Sequence, residues 1–255
     1  MTLHRPKIMV APNGARKTKK DHCEIPIRPD ELAQTAKRCF ELGATGIHLH
    51  VRDDNQQHSL DAGRYREAIA AVSRSAPGMA IQITTESAGI YDIHTQYQLI
   101  DTLRPKWISL AIREMCQDIS IAKGIYRLAN EANIQIQHIL FSPECMAHML
   151  AWIEQGIIKD PHPDVLFVLG RYTQNQQSEP TDILPFLQSI QNLNWTWTVC
   201  AFGRKEIPCL LSALKQGGRV RIGFENNTVA EDGSLFKDNV DSVARLMVAM
   251  KAAKL

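Results

Sequence analysis

Short apolar runs recur along the chain at fairly regular intervals, and each is followed by a stretch whose apolar positions keep a helical period. The runs predict strands over residues 8–11, 46–51, 80–84, 107–110, 134–140, 165–169, 195–200 and 220–224. The first helical stretch, PDELAQTAKRCFELG, has Pro29 at its start, acids in its first turn and Gly43 just past its end. Further helices are predicted over 61–74, 92–103, 119–132, 145–154, 181–191, 207–215 and 240–252. Eight strand–helix units predict an α/β fold, a single-domain (β/α)8 TIM barrel over residues 1–255, a size close to the roughly 250 residues typical of that barrel. A doubly wound open sheet competes, but the count of eight and the lack of GxGxxG after a strand favour the barrel. No linker-like tract or low-complexity segment divides the chain.

Composition narrows the class. Hydrophobic residues make up 44% and charged residues 22%, as in ordinary globular chains, and there is ample material for a core. A formal charge of +2 is far from the basic balance of nucleic-acid binders. No run approaches membrane-spanning length, and MTLHRPKIMVAPNG lacks a signal-peptide pattern. Six cysteines, Cys23, Cys39, Cys116, Cys145, Cys200 and Cys209, show no paired spacing, which argues against a disulfide framework and for a reducing cytoplasm. Cys39, inside a helical pattern, reads as a small core residue.

In a barrel, catalytic groups sit where strands end. There GATGIHLHVRDD places His48 and His50 on one face of the second strand, with Ile47, Leu49 and Val51 on the other. Two neutral imidazoles buried without partners are costly, and one metal satisfies both; the spacing alone leaves open an active site without metal. Closing the barrel brings the eighth strand beside the first and near the second. In GGRVRIGFENN, period two puts Arg219, Arg221, Gly223 and Glu225 on one face, so Glu225 is a candidate third ligand or a loop carboxylate paired with Arg221 or Arg219. An inward Arg221 needs an anion, from a neighbour or from a substrate.

These motifs, APNGARKTKKDH with IPIRPDEL, GATGIHLHVRD, HSLDAGRY and GGRVRIGFENN, resemble the β-keto acid cleavage enzymes, whose founding member is the 3-keto-5-aminohexanoate cleavage enzyme. The resemblance runs from about Pro12 to the last helix and is weaker between Arg113 and Arg204. It implies a (β/α)8 barrel, usually a homotetramer, with one catalytic Zn2+ on His48, His50 and Glu225. The implied reaction condenses a β-keto acid with acetyl-CoA as co-substrate, giving acetoacetate and a new acyl-CoA.

Other positions carry over by the same resemblance. Asn13, Thr84 and its neighbour Thr85 fall near the substrate, and Glu144 in FSPEC matches a substrate-contacting glutamate, though it also suits a helix N-terminus. Strand-end hydroxyls at Thr84 and Thr85 can equally cap backbone. The family often pairs the arginine matching Arg221 with an aspartate as general base, but here that position is Asn226, whose amide has no useful basicity. Glu86, where relatives commonly carry glycine, is the candidate substitute base. Arg16 and Arg113 bring charge where relatives have an acid or small or polar residues, which fits a substrate with an anionic distal end; RKTKK is otherwise a solvated loop or a contact for CoA phosphates. Gly203 and Arg204 stand where barrels often bind phosphate, or simply start a helix.

Arg52 and Asp53 read as braces behind the histidines, His138 as a core residue, and His22 as the loop histidine nearest the first strand. His4, His58, His94, His148 and His162 show no metal spacing. The expectation is a zinc-dependent acyltransferase acting on small molecules, with no nucleic-acid or membrane partner. The rivals are another enzyme with a 2-His-1-carboxylate metal, including non-haem iron, and a non-catalytic member that binds acyl-CoA or a metabolite.

Overall fold

A computed structural model describes residues 5–255, so His4 lies outside the described residues. The strands are β1 (Ile8–Val10), β2 (Gly46–Leu49), a short ribbon of β3 (Val51–Arg52) and β4 (His58–Ser59), then β5 (Ala80–Thr84), β6 (Trp107–Ala111), β7 (Gln135–Leu140), β8 (Asp164–Leu169), β9 (Thr196–Ala201) and β10 (Arg219–Ile222). Eight of them, all but β3 and β4, pair in parallel and close into one barrel in the order β1-β10-β9-β8-β7-β6-β5-β2. The helices are α1 (Pro29–Glu41), α2 (Ala62–Ser75), α3 (Ile93–Leu103), α4 (Ile112–Met115), α5 (Ile119–Glu131), α6 (Pro143–Glu154), α7 (Leu184–Ile190), α8 (Glu206–Lys215) and α9 (Asn239–Ala252). Several start where a short polar side chain accepts from the first turn: Asp61, Asp92, Asp118, Ser142 and Asp238 cap α2, α3, α5, α6 and α9. Among the described residues no helix is long and apolar enough to cross a membrane.

The barrel predicted from the apolar runs is the one observed, and its boundaries move at two functional positions. The second predicted strand stops at Leu49, and Val51–Arg52 instead pairs antiparallel with His58–Ser59. The eighth stops at Ile222 because Gly223 takes a φ of 142°, and a Cβ there would sit 2.4 Å from the Ala11 carbonyl oxygen. The chain then turns across the barrel mouth, with Asn226 and Asn227 N–H donating to Gly223 O. The four-residue α4 was too short for any period to reveal.

The core divides by strand parity. Ile47, Leu49 and Val51 are buried in the main apolar cluster, where strands meet helices. Inside the barrel the lining is split. On one side a polar chain runs from His48 through Gln82 and Gln137 to Asp164, which pairs with Arg5 at 3.1 Å. On the other, Ala111, Ile139, Leu166, Val168, Cys200 and Phe202 form a separate apolar cluster.

Candidate functional site

Register places the candidate ligands. Met9 of β1 lies between Arg221 of β10 and Gly46 of β2, so residues further along the two outer strands converge above it. His48 Nε2 and His50 Nε2 are 3.1 Å apart, and Glu225 Oε2 lies 3.6 Å and 3.2 Å from them. Both imidazoles are fully buried.

Glu225 reaches this point from a turn, and three contacts hold that turn. Its N–H donates to Ala11 O at 3.0 Å, and Lys17 Nζ donates to the carbonyls of Phe224 and Glu225 at 2.8 and 3.1 Å. Gly14, at φ 63°, leaves room for it, since a Cβ there would lie 2.6 Å from Glu225 Cγ. Arg221 Nη2 donates to Glu225 Oε1 at 2.9 Å and also reaches Cys200 Sγ and Asn226 Oδ1, each at 3.3 Å. Burial alone would raise the Glu225 carboxyl, but the Arg221 guanidinium together with His48 and His50 outweighs it and holds the group well below the usual carboxylate range.

The donor set suits a divalent metal. Gln82 Oε1 accepts from His48 Nδ1 at 2.6 Å, while Gln82 Nε2 donates to Gln137, so the proton of His48 is on Nδ1 and its Nε2 lone pair is free. Burial lowers His48 to about 3, which keeps the imidazole neutral. Glu225 Oε2 is buried with no hydrogen-bond donor among the described residues. One neutral nitrogen, a second imidazole nitrogen and an orphaned carboxylate oxygen thus converge, a ligand set that a metal satisfies. Among the described residues, His48, His50 and Glu225 are the His/Cys/Asp/Glu group whose ligand atoms all lie within 4.8 Å of one another.

A cavity opens from these residues, and Asn13, Thr84, Glu86, Arg16, Arg113 and Arg221 line it together with His48 and Glu225. Its opposite wall is apolar, made by Ala111, Ile139, Phe141, Val168 and Phe202. Thr85 turns away, donating its hydroxyl to Ser109 O at 2.9 Å. Glu144 is exposed in the first turn of α6 and is not on the cavity wall. Asn226 is buried behind Arg221 rather than in the cavity. Arg16 does not stand free: its guanidinium pairs with Glu86 at 2.8 Å and also meets Ala88 O.

Several residues of the site escaped the sequence pattern. Arg171 and Tyr172 follow β8 at the cavity mouth. Arg113 stacks between Phe141 and Tyr172, at 4.4 and 4.3 Å, and Arg171 stacks on Tyr172 and Phe202. Neither arginine has a carboxylate partner among the described residues. His58, which shows no metal spacing in the sequence, is buried with its ring 5.3 Å from that of His50 and its Nε2 at 2.7 Å from Glu86 O. Arg52 is the expected brace, donating to carbonyls of Gly14, Lys17 and Gln56. His22 meets Phe236 O and packs on Phe224, His138 stacks on Tyr126, and Arg204 faces a separate hollow with Arg245.

Fold and site together define a (β/α)8-barrel protein with two histidines and a glutamate gathered at the mouth of the barrel. Comparison with known proteins makes the class specific: the chain belongs to the beta-keto acid cleavage enzyme family, whose model matches residues 7–255. It is 30% identical over 245 residues to the 3-keto-5-aminohexanoate cleavage enzyme of Fusobacterium nucleatum, covering 92% of this chain and 87% of that one. It is 26% identical to the 3-oxoadipate:acetyl-CoA acetyltransferase of Cupriavidus necator, covering 94% of this chain and 86% of that one. It is therefore an enzyme, an acyltransferase that cleaves a carbon–carbon bond. The fold is also that of ObcA, solved as a ternary complex with a C4-CoA adduct and oxalate, with a TM-score of 0.70 at 12% identity. That match covers 91% of this chain and 64% of ObcA.

Proposed function

We propose that this chain condenses a β-keto acid with acetyl-CoA, releasing acetoacetate and the CoA ester of the remaining acyl fragment. His48, His50 and Glu225 would hold one zinc ion. The observation that carries this reading is the convergence of the two Nε2 atoms and Glu225 Oε2 beside a cavity with an apolar far wall. In the balanced reaction the bond between the α and β carbons of the keto acid breaks. A new bond joins that α carbon to the acetyl carbonyl, and the CoA sulfur takes the released acyl group. Zinc in this ligand set supplies Lewis-acid stabilisation of the negative charge that develops as the substrate loses its α proton.

The protein's own groups divide the remaining work. Arg221 faces the cavity with Nε and Nη1 lacking acceptors among the described residues, so it has donors for a substrate carboxylate or a developing oxyanion. Thr84 and Asn13 flank the same space, and Glu86 on the loop after β5 is the carboxylate assigned to proton abstraction. The apolar wall excludes water around the acyl chain. At its outer end Arg113 and Arg171, held by aromatic rings and without carboxylate partners among the described residues, suit an anionic distal group. The Cupriavidus relative is named for 3-oxoadipate, a keto acid of that charge type, and the Fusobacterium relative for an amino keto acid. The unpaired cysteines fit a cytoplasmic enzyme, and a homotetramer is the proposed assembly.

The deciding experiment is an acetyl-CoA-dependent assay over a panel of β-keto acids. It uses metal-analysed protein, with His48→Ala as control. Multiple-turnover, oxygen-independent formation of acetoacetate is expected, and a strict need for oxygen would favour non-haem iron chemistry instead. No acetoacetate from any substrate overturns the reading.

A further inference from the structure

Glu206 opens α8 beneath the turn that carries Glu225, and it is fully buried. Its oxygens accept only N–H groups of that turn. Oε1 takes Asn226 Nδ2 at 3.3 Å and the Gly223 N–H at 3.4 Å, and Oε2 takes Asn227 Nδ2 at 3.4 Å. Among the described residues no cationic side chain pairs with it. A buried carboxyl without a cation is an expensive group to keep, so what it organises matters.

It organises an amide. Asn226 Nδ2 also donates to Arg221 O at 3.2 Å, while its Oδ1 accepts from Arg221 Nη2 at 3.3 Å. The two ends of an asparagine amide have nearly the same shape, so only the surrounding acceptors decide which end meets the guanidinium. Glu206 and the Arg221 carbonyl hold the NH2 end, leaving the oxygen for Arg221. The same Nη2 also donates to Glu225 Oε1, so a chain of hydrogen bonds links Glu206 through Asn226 and Arg221 to Glu225.

The chain has room for one carboxyl at its buried end. An acid in place of Asn226 would face Glu206 Oε1 across the present 3.3 Å contact, where the two carboxyls cannot both ionise and the Nδ2 donor that now orients the amide is gone. We infer that Glu206 and position 226 hold a single carboxyl group between them and that in this protein Glu206 carries it. Glu206 is thus a positioning residue that orients Arg221 through the Asn226 amide. The inference rests on the proposed reaction only where turnover is measured.

The test is a double-mutant cycle of wild type, E206Q, N226D and E206Q/N226D, read by thermal midpoint and by kcat and KM. N226D should lower the thermal midpoint in the wild-type background and much less in the E206Q background. E206Q alone should lower kcat with KM for acetyl-CoA unchanged, and the double variant should recover about tenfold in kcat over N226D, a normal coupling for touching residues. Equal effects of N226D in both backgrounds would overturn the inference. E206M supplies a second neutral background should E206Q not fold, and N226D must again be milder there. If no β-keto acid turns over, the thermal arm still decides the single-carboxyl claim while the proposed reaction fails separately.

Discussion

Gln82 sets the proton of His48: its Oε1 lies 2.6 Å from Nδ1, and that contact leaves the Nε2 lone pair facing His50 and Glu225. Gln82 is in turn oriented by Gln137, whose own NH2 meets Asp164 and Thr198. Removing the acceptor with Gln82→Leu should weaken zinc binding by roughly 10- to 100-fold, the usual effect of losing a partner behind a metal-binding histidine. Competition against a chelator measures it, and unchanged affinity would show that the imidazole is held by packing alone.

The space for Glu225 is made by Gly14. An alanine side chain there would meet Glu225 Cγ at 2.6 Å, and the φ of 63° adds about 1 kcal/mol of backbone strain. Gly14→Ala should therefore give a folded protein that retains little of the proposed zinc. Metal content beside a thermal melt would show this; full metal content would mean that the turn gives way instead.

Arg113 and Arg171 should discriminate by substrate charge. Arg113→Ala is expected to raise KM for a β-keto dicarboxylate about tenfold, in line with losing one charge-assisted hydrogen bond, and to leave a neutral β-keto acid unaffected. A parallel rise in KM for acetyl-CoA would instead assign the arginine to CoA phosphates.

Glu86→Gln separates proton abstraction from metal binding. Solvent-deuterium exchange at the substrate α carbon should be lost while the zinc content stays that of wild type. Exchange that survives would move the base elsewhere, and the Arg16 contact at 2.8 Å makes Arg16→Ala the informative companion variant.

Glu206 also predicts a pH dependence of stability. Burial raises its carboxyl from 4.5 to about 8, so the folded protein holds this proton more tightly than the unfolded chain. Its contribution is fully present below pH 4.5 and is lost as pH rises through about 8, a change on the order of a few kcal/mol. Melting curves across that window should fall with pH in wild type and flatten in E206Q. A slope that persists in E206Q would place the titration on another group.

The parts legible in the sequence share a cause. Alternation on one strand put His48 and His50 together, and barrel closure brought in Glu225, because both follow from periodicity and strand order. Partners drawn from distant strands carry no such signal. Gln82, Gln137 and Glu206 are single polar residues in ordinary contexts, and only the folded register shows that they touch. Arg16 was legible as charge, but its partner Glu86 lies seventy positions away, so its pairing was not. Glu144 suited a helix start and a substrate contact equally, and its exposed place in α6 favours the former.

The unequal lining of the barrel bears on how such an enzyme can diverge. On the polar side each side chain hydrogen-bonds the next, so a change at Gln82 or Gln137 strands a neighbour and reaches the His48, His50 and Glu225 cluster. On the facing side Ala111, Ile139, Val168 and Phe202 meet through shape alone. Selection can resize the cavity there, residue by residue, while the polar groups across the barrel stay untouched.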